Sequence, residues 1–190
     1  LQCTTPAAEV GPHQLALLAG GLGGDGYLDA TGPAARLDHP AGVAVDVSGN
    51  VYVVDLRFGG VRKIDPDGVV TTLAGIQAPA DYPTGDVDGT TTTAVFDGPS
   101  GLAVGDTGNV YVSEISGTIR RIAADGTVTT LAGKWNWVGS TDGTGADALF
   151  NYPYGIAVDE QSNVYVADTD NSTIRKVTPD GECRAFHVPE

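Results

Sequence analysis

The sequence predicts an all-β molecule: three copies of one four-stranded sheet, stacked face to face. Three observations carry this. Asn50-Val51-Tyr52-Val53 recurs as Asn109-Val110-Tyr111-Val112 and as Asn163-Val164-Tyr165-Val166, at spacings of 59 and 54 residues. Each copy sits inside a longer echo, from Pro-x-Gly-[Val/Leu/Ile]-Ala-Val before it to Arg-[Lys/Arg]-[Ile/Val] after it. Short β-branched runs alternate with turn residues, and Gly alone numbers 27. A self-similar period of this length is a supersecondary unit that buries its faces against copies of itself.

The first unit reads as four strands. Gly42 to Asp46 is the first, and Ser48-Gly49-Asn50 turns the chain into the second, Val51 to Asp55. Val61 to Ile64 is the third, and Pro66-Asp67-Gly68 leads to the fourth, Val69 to Ala74. Apolar runs of this length, cut by Gly, Asn, Asp and Pro, are hairpin signals. Runs apolar on both faces require a sheet covered on both sides. The second unit spans Gly101 to Gly133 and the third Gly155 to about Val188. The fourth strand is conserved in register but drifts in the third unit, to Glu182-Cys183-Arg184-Ala185-Phe186-His187-Val188.

The loops between units repeat too. Asp29-Ala30-Thr31, Asp88-Gly89-Thr90 and Asp142-Gly143-Thr144 precede Ala35, Ala94 and Ala148, then Leu37, Phe96 and Phe150. One apolar plug at a fixed offset predicts loops pinned over a sheet edge. Ahead of everything, Leu15-Ala16-Leu17-Leu18-Ala19-Gly20 matches a fourth strand that has no other strands. The organisation read from this is an arm over 1–14, an orphan outer strand over 15–20, and units over 21–75, 76–133 and 134–190.

The patterns Pro-x-Gly-Ile-Ala-Val-Asp, Asn-Val-Tyr-Val-Ala-Asp-Thr, Ile-Arg-Lys-Val and Asp-Gly-x-Val-Thr-Thr-Leu-Ala-Gly resemble NHL repeats, the four-stranded blades of a β-propeller. The resemblance covers Leu15 to about Asp180. It implies an arc of three NHL-type blades, completed by other chains or by further sequence, because family members commonly close at about six. It also implies that Asp55, Glu114 and Asp168, which end the second strands, pair across blades with Arg62, Arg120 and Arg175. An arc leaves two bare faces. If each exposes on the order of 500 Å², covering it is worth roughly 12 kcal/mol at about 25 cal/mol per Å². The expectation is a closed dimer or a head-to-tail assembly, in which the orphan strand adds to a neighbour's blade.

Composition narrows the partners. The net charge is −14, with 24 acidic against 10 basic residues, which argues against nucleic acid and against anionic membrane surfaces. No run approaches the roughly 20 apolar residues of a membrane-spanning helix. The chain has no Met, so a signal segment or a larger precursor piece is expected to have been removed. Cys3 and Cys183 are the two cysteines, read either as buried thiols or as a disulfide in an oxidising compartment.

Few residues suggest chemistry. His13, His39 and His187 share no repeat position, no Cys-x-x-Cys exists, and no nucleophile elbow or phosphate loop is present. The resembled family includes an amidating lyase with metal-bound histidines, and no matching set occurs here. No catalytic residue and no obligate cofactor is therefore assigned. Asp86, Asp88 and Asp142 are weak calcium candidates, against a turn-stabilising role. Trp135 and Trp137, with Tyr82, Tyr152 and Tyr154, form the expected binding surface for a sugar or a protein partner. Asn171-Ser172-Thr173 is a glycosylation sequon, and Thr90-Thr91-Thr92-Thr93 a weaker O-linked candidate. The function expected is a non-catalytic extracellular structural or interaction protein that assembles with its own copies. A glycan- or peptide-binding module is the alternative, and a lyase or lactonase fragment the third reading.

Overall fold

A computed structural model describes residues 16–21, 26–76 and 85–186. The expectations placed on the 1–14 arm, Cys3, His13, Tyr82 and His187 lie outside the described residues. The chain forms three antiparallel sheets. The first contains β1 (Pro40–Val45), β2 (Val51–Asp55), β3 (Gly60–Ile64) and β4 (Val70–Ala74), in that order. The second contains β5 (Gly89–Thr90), β6 (Pro99–Val104), β7 (Val110–Glu114), β8 (Thr118–Ile122) and β9 (Thr127–Gly133). The third contains β10 (Gly143–Thr144), β11 (Pro153–Val158), β12 (Val164–Asp168), β13 (Thr173–Val177) and β14 (Glu182–Ala185). The two-residue strands β5 and β10 run along the outer edges of β9 and β14.

The repeated tetrapeptide has a local cause. Asp46 ends the first strand, and its carboxylate accepts from the backbone N–H of Ser48 and of Asn50, each at 2.9 Å. The Asn50 amide and the Tyr52 hydroxyl also donate to it, at 2.7 and 3.1 Å. Asp159, Asn163 and Tyr165 repeat the arrangement in the third unit. Asn and Tyr thus lock the first hairpin turn of the first and third units, and the valines of the second and third tetrapeptides pack between sheets. This is an Asx-type turn with an aromatic brace.

Alternation along the strands divides each sheet into two faces. Tyr52, Val54 and Val61 of the first sheet meet Leu102, Val110 and Val112 of the second, with Phe96 between them. Tyr111, Ile119 and Leu131 of the second meet Val164, Val166 and Cys183 of the third, around Phe150. The plug positions Ala94, Phe96, Ala148 and Phe150 are all buried at these two interfaces. The strands β1, β6 and β11 lie side by side. The arc does not close on itself among the described residues.

Residues 16–20, expected as a lone outer strand, pair with no sheet. A strand needs a neighbour, and the three it would complete are not among the described residues. The segment lies instead on the outer face of the first sheet. Ala19 packs there against the cluster of Ala35, Val53, Ile64 and Val70.

Candidate interaction surface

The second strands and their arginines build the polar spine of each sheet. Arg62, Arg120 and Arg175 are buried. Arg120 Nη1 lies 3.1 Å from Glu114 Oε2, and Arg175 Nη1 lies 3.1 Å from Asp168 Oδ2. Arg62 Nη1 is 3.6 Å from Asp55 Oδ2. Each guanidinium also binds the preceding loop of its own unit. Arg62 pairs with Asp29, Arg120 with Asp88 at 3.0 Å, and Arg175 with Asp142 at 2.7 Å. Loop carbonyls of Arg36, Val95 and Leu149 accept from the three guanidiniums. The pairing expected across blades is corrected: these ions pair within one unit. An arginine in the third strand faces the acid of the adjacent second strand, and its planar fork reaches the loop lying over the edge.

The calcium candidates do not come together as a set. Asp88 and Asp142 belong to different units, and each carboxylate is engaged by its own arginine. No group of three or more His, Cys, Asp or Glu is placed to hold a metal among the described residues. Asp86 instead joins the second unit's spine, where the Thr118 hydroxyl lies within hydrogen-bonding distance of both its carboxyl and that of Glu114. This unit therefore holds one acid more than its neighbours around one arginine. Burial, reinforced by the adjacent Asp86 charge, pushes the Glu114 carboxyl well above the usual range. Burial raises Asp86 as well. Burial also raises Asp55 to about 6.

Among the described residues Cys183 is a free thiol, fully buried where Val70 and Val128 stand in the other units. Burial pushes the thiol up to about 11. It packs against the second sheet.

At the sequon, the Asn171 amide donates to the Gly139 carbonyl and to Asp168 Oδ2, each at 2.8 Å. A sugar on that nitrogen would remove one of these bonds from a part-buried site.

The aromatic candidates share the rim where the first strands begin. Trp135 Nε1 donates to Asp97 Oδ2 at 2.8 Å, and Lys134 Nζ sits 3.8 Å over the Trp137 ring. Tyr152 and Tyr154 are about half exposed. No ring contact joins these four among the described residues. An open groove of about 310 Å³ between the first and second sheets is lined by Asp46, Ser48, Asp106 and Thr107, not by these rings.

The remaining surfaces are the two faces expected to be bare in an arc. The repeat register makes them measurable. Val43 is 65% exposed, whereas Leu102 at the same register in the second sheet is 5% exposed. Ile174 is 47% exposed, whereas Val61 and Ile119 at its register are at 0%. Phe186 is 45% exposed against 8% for Leu131. These residues of the first and third sheets are exposed at registers that are buried in the second.

Stacked four-stranded antiparallel sheets with their first strands side by side are blades of a β-propeller. A model of the teneurin NHL domain matches residues 22–83, and a model of the NHL repeat matches residues 150–177. Teneurin-3 of Mus musculus is 28% identical over 164 residues, covering 75% of this chain and 6% of teneurin-3. The two family models and the teneurin-3 likeness together support an NHL-repeat β-propeller. Among solved structures, a protein of unknown function from Bacteroides thetaiotaomicron is 33% identical with a TM-score of 0.61, over 68% of this chain and 32% of its own. A catalytically inactive virginiamycin B lyase from Staphylococcus aureus, solved with quinupristin, has a TM-score of 0.55 at 17% identity, over 82% of this chain and 44% of its own. At that identity the likeness shows the fold alone. The chain spans less than half the length of each of these proteins. No helix among the described residues is long and apolar enough to cross a membrane.

Proposed function

We propose that this chain is a non-catalytic, extracellular interaction module whose working surfaces are its two end faces, and that copies of it assemble through them. One observation carries the reading: Val43, Ile174 and Phe186 are bare on the first and third blades at registers that are buried in the second. The two end faces are complementary by construction, because the face of the third blade is of the kind that meets the face of the first. Large apolar patches on a protein surface mark contact sites. The likeness to a teneurin NHL domain supports an interaction role and an extracellular setting. Val43→Glu and Ile174→Glu each place a charge on one end face. Light scattering of the native chain is expected to give a mass above one copy, and each variant a shift toward the single-copy mass. A native chain that stays single at tens of micromolar would sink the proposal.

The rim aromatics favour a second reading, a glycan- or peptide-binding module. Exposed Trp137, Tyr152 and Tyr154 would then stack on a ligand. Glycan-array binding that disappears with Trp137→Ala and Tyr154→Ala is the outcome expected of it.

A further inference from the structure

We propose that the turn between β6 and β7 is a binding site for a carboxylate group supplied from outside the chain. The site is separate from the end faces, and it lies at the opposite end of the first strands from the aromatic rim. Its neighbours show what the turn is built to hold. In the first unit one oxygen of Asp46 accepts from the Ser48 and Asn50 N–H groups, each at 2.9 Å. The other oxygen accepts from the Asn50 amide and the Tyr52 hydroxyl, at 2.7 and 3.1 Å. Asp159 in the third unit divides its oxygens in the same way. One takes the Gln161 and Asn163 N–H groups at 3.0 and 2.8 Å, and the other the Asn163 amide and the Tyr165 hydroxyl at 2.9 and 3.1 Å. Twice, therefore, four donors converge on one carboxylate.

The second unit keeps the donors and lacks the acid. Thr107, Asn109 and Tyr111 occupy the donor registers, and Gly105 stands at the register of Asp46 and Asp159. The backbone of the turn is the same. The Gly105 N–H donates to the Asn109 carbonyl and the Gly108 N–H to the Gly105 carbonyl, each at 2.9 Å, where the first unit has 3.0 Å for both. Among the described residues the Thr107 N–H, the Asn109 N–H and the Tyr111 hydroxyl donate to no acceptor, and the Asn109 amide turns to Thr107 Oγ1 at 3.0 Å. Tyr111 is only 2% exposed. A tyrosine this buried ordinarily finds a partner for its hydroxyl.

Neither conformation nor space calls for the glycine. Gly105 is not among the residues with positive φ. A Cβ there would lie 3.6 Å from Tyr111 Cε2 and 3.8 Å from Val158 Cγ2, which are ordinary contacts. The same contact places the Tyr111 ring beside the glycine, as the Tyr52 hydroxyl stands beside Asp46. Successive backbone N–H groups in a turn form a concavity suited to an anion, and hydrogen bonds to a charged acceptor are the stronger kind. Arg121 pairs with Tyr111 across the β7–β8 ladder, as Lys63 and Lys176 pair with Tyr52 and Tyr165. Cross-strand partners share a face, so a cation lies on the tyrosine's side of the sheet. Asp106 on the turn is exposed, and solvent screens its charge. The two-plus-two division of donors selects a planar group with two oxygens over a spherical anion. A small free acid and the C-terminus of a peptide both carry that group.

The test is acetate titrated into the isotope-labelled full chain at constant ionic strength, with chloride as the matched arm. The Thr107 and Asn109 amide signals are expected to move and saturate with acetate and not with chloride. The Asn50 and Asn163 amides, whose acceptors are built in, should stay still. Gly105→Asp supplies the carboxylate from the chain itself, so it should abolish the acetate response and raise the thermal midpoint. Tyr111→Phe should weaken acetate binding roughly tenfold, the effect of losing one hydrogen bond to a charged acceptor. N-acetylglycylglycine and its C-terminal amide separate the two sources. A peptide acid that binds tighter than acetate, with its amide inert, assigns a peptide terminus, and one that binds no tighter assigns a small free acid. Signals that do not saturate, that move equally with chloride, that still move in Gly105→Asp or that ignore Tyr111→Phe would overturn the site. The assembly reading is untouched by that result.

Discussion

At the residue scale the buried ion groups dominate. Arg120 satisfies Glu114, Asp88 and two loop carbonyls from a fully buried position. Removing it strands a buried carboxylate, and such a loss costs about 3–5 kcal/mol. Arg120→Met should lower the thermal midpoint by roughly 10 °C, taking about 2–4 °C per kcal/mol for a domain of this size. Asp88→Asn, at a half-exposed partner, should cost under about 1 kcal/mol. Thermal melts of the two variants side by side check this, and equal losses would refute the ranking. Sequence reading found the arginines and their strand acids because they recur at fixed registers. It missed their loop partners, because Asp29, Asp88 and Asp142 recur just as regularly but lie roughly thirty residues earlier. Only folding the loop over the sheet edge brings them to the guanidinium.

At the element scale the fourth strand is the informative one. Its Leu-Ala-Gly end seats one blade against the next unit's loop, and the glycine is required by a left-handed backbone facing a carbonyl. Gly133→Val should therefore destabilise by about 2–3 kcal/mol, from strain plus backbone displacement. Gly105→Ala, with ordinary contacts at 3.6 Å or more, should fall within about 0.5–1 kcal/mol of the native chain. Chemical denaturation curves separate the two, and a mild Gly133→Val would contradict the seat. The same element shows where sequence matching stopped. Residues 15–20 fit the strand pattern, but a pattern cannot say whether a partner strand is present. The drift at 182–188 was visible, yet its consequence, a strand of four residues instead of seven, needed the register of β13.

At the scale of the whole molecule the acidic charge sets the pH response. Asp55 has its folded value raised to about 6, against about 3.9 in an unfolded chain. A raised carboxyl contributes stability that is present below about pH 4 and lost as the pH rises through about 6. Glu114 and Asp86 shift in the same direction. Asp46 and Asp159 shift the other way, held down by the Asn50 and Asn163 amides, so their contribution is lost only as the pH falls through their lowered values. The thermal midpoint should thus rise from pH 7.5 to about pH 5 and fall again below about pH 4. Glu114→Gln should flatten the rise, because its side chain stays neutral throughout. A midpoint that drops steadily from pH 7.5 downward would show the buried acids are not the controlling groups.

The sequence by itself determined the unit, its strands, its turns and the count of three. Those are local matters, since β-branched runs, Asx turns and glycine positions act within one hairpin. It also determined that the chain is an arc, because repetition at a fixed register implies faces made for copies of themselves. The tertiary structure decided which residues those faces consist of, and what each polar group meets. Burial and ion pairing depend on which segments lie opposite, and that is set by how the loops fold over the sheet edges. So Cys183 became a packing residue, Asp88 and Asp142 became arginine partners, and the segment expected as an orphan strand became one packed on the first sheet.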